Sequence, residues 1–266
     1  MVRSLSLVLA ACGLLLFSVG ARADKPDYSA LSVGDEQWVD IDFLHPTQFR
    51  VGAAEVREKA GRFEGMGTKE LRAYLKAHPC PVVIGPGGVP YITDEQHRAN
   101  ASFDAEDSHH AVKALRKRGQ PQMNMKIIDN LSSLSTDDFE KEMLAKHYTY
   151  LYDRGDLKPF SELPRRVFQM KNDPYRSVAG FLERIAWDLK PGIYFEQFTV
   201  AQWLRENLKL SDQQVTDQLK NHRVEFLKKV MKLLQSPEAK SQEWYLGPGS
   251  CEVHALKKEL KSGGGG

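Results

Sequence analysis

The sequence predicts an α+β protein: a small mixed-sheet domain over residues 24–134, a mainly helical domain over residues 135–236, and a tail over residues 237–266. Two patterns carry this. Up to about residue 130, short runs rich in Val and Ile alternate with helical spacings, whereas beyond residue 135 apolar residues recur three and four apart with no further strand pattern. The chain of 266 residues is long enough for one large domain or two small ones with real cores.

Residues 1–23 read as a signal peptide. Arg3 precedes an apolar run over residues 5–19, and Ala21-Arg22-Ala23 is a small-x-small pattern that a signal peptidase could cut after Ala23. Leu9-Ala10-Ala11-Cys12 also has the form of a lipoprotein box, but the apolar run continues past Cys12, which disfavours lipidation. The run is short for a bilayer and no later stretch is apolar for long enough, so the sequence predicts an exported, periplasmic or extracellular, protein with no stable membrane span. Residues 1–23 hold Arg3 and Arg22 and no acid. Without those two, the 37 Lys and Arg are matched by the 35 Asp and Glu, a balance that does not support nonspecific grip on nucleic-acid backbone. Two thiols then remain, Cys80 and Cys251. In an oxidising compartment a Cys80–Cys251 disulfide and two free thiols stay equally open.

Residues 37–43 alternate Trp38, Asp40 and Asp42 with Val39, Ile41 and Phe43, the period of a half-buried strand. Residues 53–63 have helical spacing, with Glu55 and Lys59 four apart in the order that favours an ion pair. Thr68 is expected to cap a second helix over residues 69–77, which Pro79 stops. Residues 81–85 and 89–93 are two short strands around Pro86-Gly87-Gly88. Asp94 stands where the next helix begins, so a strand feeds directly into a helix start whose free N–H groups and partial positive charge suit a phosphate. A further helix is expected over residues 109–117 and a strand over 123–128. The helical half is expected to comprise residues 139–152, 163–170, 177–188, 195–208 and 213–234. Pro237 closes the last of these, and residues 262–266 read as a flexible end or an expression scar.

The residues 93–101, TDEQHRANA, following two short strands, resemble the D-G-x-H-R segment of the ParB/sulfiredoxin superfamily. The residues 44–59, LHPTQFRVGAAEVREK, resemble the P-T-Q, G, E-V, K opening of its ParB-like nuclease branch. Asp173-Pro174-Tyr175-Arg176-Ser177-Val178-Ala179-Gly180 is similar to that branch's D-P-Y-R-S-L-A-G segment, and Phe195 to Phe198 with Trp203-Leu204-Arg205 to its F-x-E-F, W, L-R stretch. The resemblance implies a ParB/sulfiredoxin-like first domain and a nucleotide-phosphate or nucleic-acid site at the helix start. There Arg98, with Glu95 and Gln96, would hold phosphate, Asp94 would help hold Mg²⁺, and His97 or Glu55 would act as base. Gln48, Lys59 and Arg176 fall in the matched motifs as flanking candidates.

Two departures stand out. Glu95 replaces the usual Gly or His and brings a carboxylate to the phosphate approach, and Gln96 replaces the sulfiredoxin Cys, which disfavours that chemistry. Three function classes follow: a nuclease or other phosphodiester or phosphoryl enzyme, a non-catalytic binding or structural module, and a phosphotransferase like the free-serine kinases. Export disfavours the last, which needs a cytosolic nucleotide pool.

Overall fold

The computed structural model describes residues 26–104, 121–190, 192–245, 254, 256 and 257. The expected signal peptide, the expected helix over 109–117, Cys251 and most of the tail lie outside the described residues.

The first half is built on a mixed sheet, as predicted, of five strands, one more than the sequence predicts. Its strands are β1 (Glu36–Asp40), β2 (His45–Pro46), β4 (Cys80–Gly85), β5 (Val89–Ile92) and β6 (Gln122–Asn130), in the order β1-β6-β4-β5-β2. The pairs β1/β6 and β4/β5 are antiparallel, while β6/β4 and β5/β2 are parallel. Central β4 is buried on both faces, which is why its sequence is a continuous apolar run rather than an alternating one. On one face lie α1 (Ala53–Glu64), α2 (Thr68–Ala77) and α3 (Gln96–Asp104), whose Val56, Phe63, Leu71, Leu75 and Ala99 join Val82, Ile84, Ile92 and Met125 in the main core. On the other, Val83 packs with Phe139 and Met143 of α4 (Thr136–Ala145).

The second half forms its own core around α5 (Pro174–Leu182), α6 (Glu196–Leu208), α7 (Asp212–Asn221) and α8 (Arg223–Leu233), closed by α9 (Pro237–Lys240). Trp187 is fully buried there and its indole N–H donates to Ala179 O at 2.8 Å. Among the described residues no helix is long and apolar enough to cross a membrane.

Several expectations need correction. Residues 163–170 are not a helix: Pro164 interrupts them, leaving 3₁₀ turns at Phe160–Glu162 and Val167–Gln169. The expected helix over 213–234 is two helices, because the chain breaks at His222. The 177–188 helix starts earlier and stops at Leu182, with Arg184 in the left-handed region at φ 61°. Thr68 is the first residue of α2 and Gly67 its cap. The helical half also holds strands too short to leave a periodic signal: β7 (Tyr152–Asp153) and β8 (Asp156–Leu157) form a hairpin, and β9 (Lys171–Asn172) pairs in parallel with β3 (Arg50–Val51).

That last pair joins the two halves. It sets the start of α1 beside the start of α5 so closely that a Cβ on Gly52 would lie 2.6 Å from Ser177 Oγ. Only glycine fits this crossing.

Candidate functional site

Between the two halves lies an open cleft of about 510 Å³, bordered by α1, the start of α3 and the segment 189–198. Glu55 lines it. Its side chain is 17% exposed, Oε1 lies 3.8 Å from Lys59 Nζ, and Oε2 lies 3.6 Å from His97 Nε2 with no hydrogen-bond partner. Burial raises its pKa above the usual carboxyl value, with the charges of Lys59 and Arg176 opposing. Gly180 leaves room for it, since a Cβ there would sit 2.2 Å from Oε2.

His97 projects from the first turn of α3, but its Nε2 accepts the Gly52 N–H at 2.9 Å. A neutral imidazole has one donor and one acceptor nitrogen, so the proton sits on Nδ1. Burial depresses its pKa well below the ordinary value, and the neighbouring cations Arg176 and Lys59 add to the effect. The imidazole therefore acts as a neutral brace between α3 and the start of α1. Its expected role as base is corrected: Nε2 is already engaged.

Arg98 does not join it. Its Nη1 donates to His78 O at 2.6 Å, its Nη2 to Glu95 Oε1 at 2.7 Å, and its guanidinium lies 5.7 Å from the Tyr74 ring. The expected phosphate contact from this guanidinium is thus corrected, because Arg98 does not line the cleft and its two Nη groups tie the helix start to the end of α2, while its Nε is buried without a partner. The same bond answers the concern over Glu95, whose carboxylate faces Arg98 rather than standing unpaired at the cleft. Glu95 has φ 65°, the left-handed region that favours glycine, and this explains why a Gly is usual at the position the resemblance assigns to it. Asp94 lines the cleft and its Oδ1 accepts the Glu95 N–H at 2.6 Å. Gln96 turns its side-chain amide inward, donating to Ile92 O at 2.9 Å, so only its place at the helix start serves the cleft.

The cations lining the cleft are instead Lys59, Lys146, Arg176 and Arg184, and of these Lys59 and Arg176 are the buried ones. Lys59 is 8% exposed. Arg176 comes from α5: it is 4% exposed, its Nε donates to Gln197 Oε1 at 2.9 Å, and its guanidinium stacks 3.6 Å from the centre of the Phe198 ring. Burial lowers its pKa to about 10, opposed by the charge of Glu55, so it stays cationic at neutral pH. Gln48 is 5% exposed and lines the cleft with Nε2 buried and unpartnered, a donor with nothing yet to donate to.

Sequence reasoning missed Glu183, Glu196, Gln197 and the stacked pair His147 and Tyr194, whose ring centres are 4.0 Å apart at the rim. None has a spacing signal, since they reach the cleft from loops and helix ends of the second half. Among the described residues no group of three His, Cys, Asp or Glu is arranged to hold a metal ion.

Residues 37–206 match the family described as "Putative ParB-like nuclease". The chain belongs to this ParB-like family. The match spans both the sheet half and the start of the helical half, so the cleft lies wholly inside the family's region. The crystal structure of protein Atu1540 from Agrobacterium tumefaciens is similar to this chain, with 27% identity and a TM-score of 0.62 over 80% of this chain and 99% of that one. Among curated proteins none matches.

Proposed function

We propose that the cleft binds a phosphate-bearing ligand and that this ParB-like protein hydrolyses a phosphodiester in it. The observation that carries the reading is Glu55: a carboxyl lining an open cleft, with Oε1 3.8 Å from Lys59, the charge of Arg176 acting on it, and a buried Oε2 that has no hydrogen-bond partner. Lys59 and Arg176 suit the non-bridging oxygens, the first amides of α3 add donors, and Gln48 Nε2 supplies one more. Glu55 takes a proton from the attacking water as its oxygen bonds to phosphorus. It returns that proton to the leaving oxygen as the P–O bond breaks. A carboxyl whose pKa burial raises above the usual carboxyl value is suited to both transfers. Mg²⁺ carried in by phosphate oxygens and held by Asp94 would neutralise further charge on the phosphate. Export of the chain after cleavage at Ala23 belongs to the same proposal, and N-terminal sequencing of secreted protein tests it.

The test is hydrolysis of bis(4-nitrophenyl) phosphate and of short single-stranded DNA by the full chain, with and without divalent cations and without ATP. Glu55→Gln should bind and not turn over, while Lys59→Met should lose binding. If the wild-type chain cleaves neither substrate, and no phosphate or nucleotide raises its melting temperature, the hydrolase reading is refuted and a partner-binding module takes its place. Turnover that requires ATP would point instead to the phosphotransferase.

A further inference from the structure

Most of the charge lining the cleft is already balanced. Lys146 donates to Asp129 Oδ2 at 2.8 Å and lies 3.5 Å from Glu142, and Arg184 lies 3.8 Å from the carboxylate of Glu183. That leaves Lys59 and Arg176, both acting on Glu55, which together seat one phosphate rather than a row of them. Among the described residues five carboxyls, Glu55, Asp94, Glu95, Glu183 and Glu196, line the cleft against four Lys and Arg. No excess of positive charge is left to draw in a polyanion. The segment 189–198 brings a different chemistry. Its Leu189, Ile193 and Tyr194 line the same cleft, and Leu189 and Tyr194 are 58% and 56% exposed. These side chains sit on a pinned backbone: the Lys190 N–H donates to Glu196 Oε2 at 2.7 Å, the Ile193 N–H to Lys190 O at 3.1 Å, and the Tyr194 ring stacks on His147. Single exposed apolar residues are ordinary, but three in one cleft make a surface that suits an apolar ligand group.

We propose that the substrate of the cleft is a phosphodiester with a single phosphate and an apolar ester group, which packs against Leu189, Ile193 and Tyr194 while Lys59 and Arg176 hold the phosphate oxygens. The inference rests on the phosphodiester reading of the cleft and names the substrate class for it. A lipid and a soluble alkyl ester both carry this chemistry.

The test uses the full chain and three 4-nitrophenyl phosphodiesters that share a leaving group and differ in the second ester group: hexyl, methyl and thymidine 5′-yl. In each, a water oxygen bonds to phosphorus, the P–O bond to 4-nitrophenol breaks, and the phosphomonoester of the second group remains. Because the bond broken is the same, differences in kcat/KM report how the second group is bound. The hexyl ester should exceed the methyl ester by about tenfold, roughly what burying two methylene groups gives, and the thymidine ester should not exceed the methyl one. In a chain carrying both Leu189→Ser and Tyr194→Ser the hexyl-to-methyl ratio should fall toward one. Both side chains are exposed, so the melting temperature of this variant should stay near that of wild type. A ratio near one in the wild type, or a preference for the thymidine ester, overturns the inference and leaves the phosphodiester reading standing. A ratio that survives in the double variant overturns the assignment to this segment. If no ester is cleaved and none raises the melting temperature, both readings fall together. Dihexanoylphosphatidylcholine separates the two sources: its cleavage assigns a lipid, and a hexyl preference without it assigns a soluble ester.

Discussion

Gly180→Ala separates the folding of this protein from its proposed chemistry. A Cβ at position 180 would meet Glu55 Oε2 at 2.2 Å and Gln197 Nε2 at 2.9 Å. Ordinary contact begins near 3.4 Å, so the carboxylate must retreat by about 1 Å, and Gln197, which anchors Arg176, must give as well. Displacements of that size from a productive geometry cost on the order of 100-fold in rate. Stability should move little, because Ala is favoured over Gly inside a helix by about 1 kcal/mol, which offsets the repacking of two side-chain ends. The assay is phosphodiester hydrolysis beside thermal unfolding of the same sample. A variant that melts like wild type and has lost about two orders of magnitude in rate is the expected outcome. Full activity with an unchanged melting temperature would refute the placement of Glu55 at the reacting centre.

Glu55 also makes stability depend on pH. Burial raises its pKa in the folded chain, so the wild type loses stability as pH climbs from the ordinary carboxyl value through the raised one. Glu55→Gln should therefore match wild type near about pH 4 and exceed it near about pH 8, and a pH-independent difference in melting temperature would contradict this. Glu95→Gly removes a left-handed strain of about 1–2 kcal/mol but deprives Arg98, itself 3% exposed, of its carboxylate. Since breaking a buried pair costs about 3–5 kcal/mol, the melting temperature should fall, and a rise would show that the strain dominates. Cys80 is a free thiol, fully buried, bonded to Asn124 O at 3.3 Å, and its pKa is pushed up to about 12 by burial. In a chain cut after Ala23 and carrying Cys251→Ser, Ellman's reagent should label Cys80 only after unfolding, and rapid labelling of that native chain would place the thiol elsewhere.

The longer strands of the mixed sheet and most of the long helices were legible in the amino-acid sequence because burial imposes a pattern on long elements, whereas the breaks at Pro164, Leu182 and His222 were not. The two-residue strands β2, β3, β7, β8 and β9 were not legible either, since a pair of residues has no period. The same limit applies to the site. The strand entering a helix start at Asp94 and the spacing of Glu55 and Lys59 on α1 are local, and the P-T-Q and D-P-Y-R segments marked Gln48 and Arg176 through resemblance alone. The sequence by itself determined which residues sit on which element and which family the chain resembles. Which way two adjacent side chains turn was decided only by tertiary structure: His97 reaches Gly52 and Arg98 reaches His78, because neighbours on a helix point to different faces and each found its partner on a different element. The cleft, too, exists only where the halves meet, since the β3–β9 pair and the contact of α1 with the start of α5 bring Arg176 beside Glu55.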